Sequence, residues 1–378
     1  MRHRLALLAA AFGLGLSQPA AAGCEAWPAW QQFRDTLLRD EGRIVDPSDT
    51  RLITTSEGQS YALFFALVAN DRRSFDQLLA WTDRQLAAGQ LGNQLPAWLW
   101  GRQADGSWGV LDSNSASDSD LWIAYTLLEA ARLWRQPRYQ ALGTLLARQI
   151  VRQEVAELPG LGPTLLPAPH GFNPAPGRWR LNPSYLPLPL LRRLAQQQPG
   201  SAWPAILQSS LRVITESAPH GYSPDWVQYQ AGTGWVADKE SQASGSYNAI
   251  RSYLWLGLSH PEDPARAGLL RALQAMASET TRRGAPPEVV DTAQGLPKAG
   301  DGPAGFSASL MVMLDALNQP QAAEAQRQRW QAKPPAADAY YNQSLSLFAF
   351  GFREKRYAFA PDGALVPAWQ RCATPASR

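Results

Sequence analysis

The sequence predicts an all-α fold, one domain of six helical hairpins, and three observations carry that prediction. Apolar residues recur at helical spacing in segment after segment, whereas the alternation of a half-buried strand is scarce. Proline or Asn/Asp-rich breaks punctuate the segments, as in Ser259-His260-Pro261 and Asn318-Gln319-Pro320. Hydrophobic residues make up 45% of the 378, enough for a substantial core. The pairing of segments therefore outweighs a length that would ordinarily suggest two domains.

In chain order, the first helix is expected over about 28–40. Tyr61, Phe64, Phe65 and Val68 make one apolar stripe and Phe75, Leu78, Leu79 and Leu86 the next, which gives the first hairpin. Segments 121–134 and 139–151, parted by Gln136-Pro137, give the second. Segments 183–196 with 202–216, 247–258 with 263–279, and 304–318 with 320–331 supply three more. The last segment, 338–352, is left to pair with the first. Twelve such helices can close into an inner and an outer ring, with loops at the inner ends covering a central cleft. No repeated motif marks the hairpins, so a solenoid is not indicated.

Composition narrows the function. Charged residues are only 18% and the formal net charge is +3, which excludes a disordered tail and a dense nucleic-acid-binding stripe. Residues 1–22 read as a signal peptide: Arg2, His3 and Arg4 are followed by an apolar run over 5–16 and by the small residues Ala20, Ala21 and Ala22. Residues 23–378 would then be the single mature domain, periplasmic or secreted. No later stretch reaches the ~18 apolar residues that a membrane span needs. The two cysteines, Cys24 and Cys372, stand near the two ends, and in an oxidising compartment a disulfide closing the termini is expected. Ala22-Gly23-Cys24 leaves acylation of Cys24 as an alternative, although Pro19 upstream suits it poorly.

Three loops, 91–117, 158–182 and 218–246, exceed the ~12–15 residues of a plain connection. They hold Trp98, Trp100, Trp108, Trp179, Trp226 and Trp235, in a chain with 15 Trp against 4 Met. Indole faces beside Asn, Asp and Arg suit the apolar faces and hydroxyls of sugar rings. Plugging the core beneath the loops is the other use for them.

The four His stand apart from Cys and from each other, so an imidazole-based metal site is not indicated. A Gly-x-Ser-x-Gly elbow and a phosphate-binding glycine loop are both missing from the sequence. Carboxylate chemistry remains. Glu57 lies in Thr54-Thr55-Ser56-Glu57-Gly58-Gln59, which reads either as a capping box with Thr54 as cap or as an acid at a helix head. Gly58 would let a ligand or backbone approach there. Asp118 lies in Ser113-Asn114-Ser115-Ala116-Ser117-Asp118-Ser119-Asp120, either a helix cap or a sugar-contacting loop. A ring of hairpins could aim both at one cleft. Glycoside cleavage needs a protonated acid and a second group opposite it, while a helix N-terminus favours the ionised form. Glu57 would need burial or the charge of Asp118 to keep a proton.

At these segments the chain resembles glycoside hydrolase family eight. Ala116-Ser117-Asp118-Ser119-Asp120-Leu121-Trp122-Ile123-Ala124 is similar to that family's signature, and Ser56-Glu57-Gly58-Gln59-Ser60-Tyr61 to its acid-bearing helix start. Within the family it resembles the periplasmic endoglucanases encoded with bacterial cellulose synthases. The shared segments are Pro96-Ala97-Trp98-Leu99-Trp100-Gly101, Asn182-Pro183-Ser184-Tyr185-Leu186-Pro187 and Ser223-Pro224-Asp225-Trp226-Val227. The resemblance spans nearly the whole mature chain. It implies an (α/α)6 barrel that hydrolyses internal β-1,4-glucan bonds with inversion, without metal or organic cofactor. A cellulose chain is the implied substrate and a cellulose synthase complex a possible partner.

By the same resemblance Glu57 matches the general acid and Asp118 the residue the family assigns as nucleophile, although inversion needs no covalent intermediate. Asp118 is expected to hold the distorted sugar and stabilise positive charge. One departure concerns Ser246-Tyr247-Asn248-Ala249-Ile250-Arg251: the cellulose-operon relatives carry Asp, the water-activating base, where this chain has Asn248. An amide cannot take that proton. Asp118, Asp225, Asp238 and Glu240 are the substitutes to consider, and a glycan-binding accessory protein with weak catalysis is the alternative function. The acids Asp112, Asp120, Asp225, Asp238 and Glu240 also leave a relative acting on chitosan or xylan open. Trp98, Trp100, Tyr185, Trp226, Trp235, Tyr247 and Asn248 are the expected sugar contacts, with Arg251 positioning a carboxylate or hydroxyl.

Overall fold

The computed structural model describes residues 26–372. The signal-peptide segment 1–22 and Cys24 lie outside the described residues. Cys372 is disulfide-bonded rather than a free thiol.

Thirteen helices of seven or more residues carry the fold among the described residues. They are α1 (Pro28–Leu37), α2 (Ser56–Val68), α3 (Arg72–Trp81), α4 (Ser117–Trp134), α5 (Pro137–Gln153), α6 (Leu188–Gln197) and α7 (Trp203–Glu216). The second half adds α8 (Ile250–Leu258), α9 (Arg266–Ala272), α10 (Gln274–Arg283), α11 (Ala304–Ala316), α12 (Pro320–Ala332) and α13 (Tyr340–Arg353). Helices α2, α4, α6, α8, α11 and α13 form the inner ring, each against the next. The ring closes where Phe348 of α13 packs on Phe65, Tyr61 and Phe64 of α2, with centroids 4.6, 5.0 and 5.4 Å apart. Helices α3, α5, α7, α9 with α10, α12 and α1 back them from outside. The result is an (α/α)6 barrel.

Inner and outer helices differ as their surroundings demand. α2 buries every residue except Glu57, and α11 buries ten successive residues from Gly305 to Leu314. A helix apolar all round belongs in a core. α12, in contrast, buries only Ala323 and Gln326. Close approach of inner helices depends on small residues. A Cβ on Gly257 of α8 would lie 2.7 Å from the Met313 nitrogen and the Val312 carbonyl carbon of α11, both backbone atoms that cannot yield. Gly257→Ala is therefore expected to destabilise the fold by about 1–3 kcal/mol, despite alanine's better helix propensity. Thermal unfolding checks this: an unchanged or higher midpoint would show that the ring is looser there.

The expected pairing holds with three local differences. Segment 263–279 is broken into α9 and α10 at Leu273, which leaves helical geometry. The start of 183–196 is a single 3-10 turn, Pro183–Tyr185, because Pro187 disfavours helical geometry at Leu186 and delays the α-helix to Leu188. Third, the long loops contain strands of two to five residues, too short for alternation to be read from sequence. β1 (Thr54–Thr55), β2 (Leu99–Arg102) and β3 (Trp108–Asp112) form one antiparallel sheet beside the head of α2. β4 (Val155–Leu158) and β5 (Gly162–Leu165) form a hairpin after α5. β6 (Arg178–Leu181), β7 (Val227–Gln230) and β8 (Gly234–Ala237) form a second three-stranded sheet, while β9 (Ser244–Gly245), β10 (Val290–Asp291) and β11 (Leu296–Pro297) form a third. Several of these strands lie in what the sequence presents as loops.

Candidate active site

The heads of the inner helices deliver the functional side chains to one place. Thr55, not Thr54, caps α2: its side chain accepts from the Gly58 N–H at 3.0 Å, while the Thr54 hydroxyl donates to the Ile44 carbonyl at 2.7 Å. Glu57 does not reach back to complete a capping box. Its Oε2 accepts from Arg251 Nη1 at 2.7 Å and its Oε1 from the Tyr340 hydroxyl at 2.9 Å. Gly58 is explained by the same contact, since a Cβ there would press on the Tyr340 ring at 3.3 Å.

Asp118 is the second residue of α4, and Ala116 occupies the cap position. Its Oδ1 accepts from the Ser119 N–H at 2.8 Å, and its Oδ2 lies 3.9 Å from Arg251 Nη2. One guanidinium thus touches both carboxyl groups. Burial pushes Asp118 up to about 6; Arg251 opposes the rise and the charge of Glu57 adds to it. Glu57 keeps a side-chain exposure of 20% against 6% for Asp118, so the acid is the more open of the two.

Arg251, from the first turn of α8, is itself fixed. Its Nη2 donates to Ser184 Oγ at 3.2 Å and to Asn248 Oδ1 at 2.9 Å. Asn182 Nδ2 donates to the same Asn248 oxygen at 3.2 Å. With Oδ1 doubly engaged, the remaining functional atom of Asn248 is its amide nitrogen, a donor. Asp225 lies directly behind: its Oδ1 accepts the N–H groups of Ser246, Asn248 and Ala249 at 2.7–2.9 Å. Burial pushes the Asp225 carboxyl up, against the pull of those three donors.

Aromatic residues wall the site. The Tyr185 ring lies 5.7 Å from the Arg251 guanidinium and 6.0 Å from Trp226. Trp226 stacks on Phe172 at 5.5 Å, with Arg180 4.4 Å from its ring. Tyr247 is exposed, donates to Glu288 Oε1 at 2.7 Å, and its carbonyl accepts from the Tyr341 hydroxyl. Part-exposed Trp98 ties the wall to both carboxylate segments, because its carbonyl accepts from Ser56 N–H and its N–H donates to the Asn114 carbonyl.

Two expected sugar contacts are placed differently. Trp100 is buried edge-on against Trp81 at 5.3 Å and stacked under Trp108 at 5.4 Å, with Arg43 4.9 Å from both indoles of that stack. Only 8% of Trp100 is exposed against 44% of Trp108, so Trp108 is the ring left to solvent. Trp235 packs on Tyr229 at 5.0 Å and donates to Glu216 at the end of α7, a support for the sheet rather than a partner of the carboxylates. Of the candidate bases, Asp238 is consumed by Arg180, Gln228 and Ser241, and Glu240 pairs with Arg180 at 3.2 Å. Tyr340 and Tyr341 belong to the site without having been singled out in sequence, while Asn182 and Ser184 stand in the segment 182–187 that carries the resemblance but had no role of their own. The one signal for the two tyrosines is position at the head of an inner helix, the feature shared by Glu57 and Asp118.

The family model described as "Glycosyl hydrolases family 8" matches residues 6–355. The chain is 48% identical to the endoglucanase of Salmonella typhi over 93% of its own length and 94% of that protein's. It is 47% identical to the endoglucanase of Xanthomonas axonopodis pv. citri, covering 98% and 97%. The solved endo-1,4-D-glucanase of Vibrio fischeri superposes with a TM-score of 0.87 at 47% identity, over 91% of this chain and 99% of that one. With catalytic-type carboxyls gathered at the mouth of an (α/α)6 barrel and relatives of this closeness, the chain belongs to family 8 of the glycosyl hydrolases.

Proposed function

We propose that the chain is an exported endo-β-1,4-glucanase that cuts internal bonds of cellulose with inversion, acting in the periplasm or outside the cell in connection with cellulose synthesis. The observation that carries this is the single guanidinium of Arg251 spanning Glu57 and Asp118 within an aromatic-walled site. Relatives named endoglucanase at 47–48% identity support the substrate class.

In this reading Glu57, the more open carboxyl, donates a proton to the glycosidic oxygen as the bond to the anomeric carbon breaks. Water attacks the opposite face of that carbon. Asp118 supplies negative charge where the sugar ring gains positive charge, in a dry setting where such charge counts most. Arg251 holds the two carboxyls in register, and Tyr185 offers its ring to a neighbouring sugar, with Trp226 held behind it by Phe172 and Arg180. Asn248 cannot take the proton of the attacking water, so that proton passes to Asp225, whose Oδ1 is pinned by three N–H groups and whose Oδ2 remains to accept it. A glycan-binding accessory role rests on Asn248 alone.

The test is hydrolysis of carboxymethyl cellulose, chitosan and xylan side by side, with the anomer of the first-formed reducing end read by NMR. Release from the glucan as the α-anomer is expected. Initial β-anomer would overturn inversion, and a preference for chitosan or xylan would overturn the substrate class.

A further inference from the structure

Two residues beyond Asp118, the same helix head carries one member of a second pair of acids that the hydrolytic scheme does not use. Asp120 lies in the first turn of α4 and Glu154 just past the end of α5; neither is exposed to solvent. Each carboxyl bears on the other, the charge of Glu154 adding to the rise that burial gives Asp120, and Ser115 adjoins both. Ser115 Oγ donates to Glu154 Oε1 at 2.5 Å, but both oxygens of Asp120 and the Oε2 of Glu154 are buried with no donor. Three unsatisfied carboxylate oxygens in one dry spot would be costly. A single proton between the two groups removes the problem by making an O–H···O⁻ bond. The charged group facing the pair is Asp118, another acid, while Ser115 is neutral, and no cation among the described residues forms an ion pair with either member. Glu154 also sits at the negative end of α5, which disfavours a carboxylate there.

We propose that Asp120 and Glu154 share one proton as an acid–carboxylate pair beneath Asp118, locking the head of α4 to the end of α5 and setting a fixed negative charge beside Asp118. The pair is a positioning device that touches no substrate. Its charge raises the proton affinity of Asp118, and its hydrogen bond fixes the turn that aims Asp118 at the cleft. The link is continued by the Ser117 N–H donating to the Pro167 carbonyl and the Leu166 N–H to that of Glu154. The catalytic half of this inference rests on the role proposed for Asp118; the shared proton does not.

Two variants separate the parts. Burial pushes both carboxyls up, Asp120 with the added charge of Glu154 and Glu154 to about 8 against an ordinary 4.5, so the folded chain keeps the shared proton where the unfolded chain has lost it. Stability from that proton is complete below about pH 4.5 and disappears as pH rises to about 8. Glu154→Gln keeps the bond to Asp120 through its amide N–H and keeps the charge of Asp120, but removes the acid whose charge adds to the rise of Asp120, so less of the pair's titration falls in that window. Its Tm should fall less than that of the wild type between pH 5 and 8. Asp120→Asn/Glu154→Gln also removes the charge, and the acidic limb of its kcat/KM profile on soluble glucan should move down by about half a pH unit or more, while Glu154→Gln alone leaves the limb in place. A wild-type Tm slope in Glu154→Gln overturns the shared proton. An unmoved limb in the double variant overturns the electrostatic role. If the wild type cleaves no glucan, the hydrolase reading fails while the Tm comparison still decides the pair.

Discussion

Glu57→Gln is expected to lower kcat on unsubstituted β-1,4-glucan by about 10²–10⁴-fold, the usual contribution of a positioned general acid, with the fold and KM little changed. Glutamine has the same shape, so its carbonyl oxygen can accept from Arg251 and its amide nitrogen can face the Tyr340 hydroxyl, the two partners that hold the carboxyl. What disappears is the proton. The loss should therefore depend on the leaving group. A cello-oligosaccharide with an activated aryl aglycone departs without protonation and should be cleaved by the variant at a rate close to that of the wild type, whereas a sugar leaving group should not. Equal loss on both substrates would assign Glu57 a structural task, such as holding Arg251. No loss on either would remove it from the mechanism.

The same residues show how far the sequence reaches. Inner helices were legible because burial on every side leaves an unbroken apolar run, as in Tyr61 to Val68, and the outer ones because a single face is apolar. Glu57 and Asp118 could be placed in one cleft because the hairpin pattern puts every inner helix head at the same end. The roles of the tryptophans could not be read this way. Whether an indole on a loop meets sugar or protein depends on contacts far away in sequence: Trp100 is claimed by Trp81 and Trp108, and Trp235 by Glu216. Tyr340 escaped notice for a related reason. Its hydroxyl reaches a carboxyl 283 positions away, and only the closure of the ring brings the last inner helix beside the first.

Asn248→Asp should raise kcat on soluble β-1,4-glucan by about 10²-fold or more, within the range that a correctly placed general base supplies. The site is already built for a carboxylate at this position. Arg251 and Asn182 both donate to the Asn248 oxygen, and either bond would be stronger to a charged acceptor. The atom that changes is the amide nitrogen, which becomes a second oxygen able to take the proton from water. Arg251 would then offset the added negative charge beside Glu57 and Asp118, so folding should survive the change. The gain also tests Asp225. While Asn248 is in place, Asp225→Asn should abolish most of the activity, since its Oδ2 is then the proton acceptor; in the Asn248→Asp background the same substitution should cost much less, because the new carboxylate has taken over. A comparable loss in both backgrounds would mean that Asp225 serves only to hold the N–H groups of Ser246, Asn248 and Ala249, and that water is activated elsewhere.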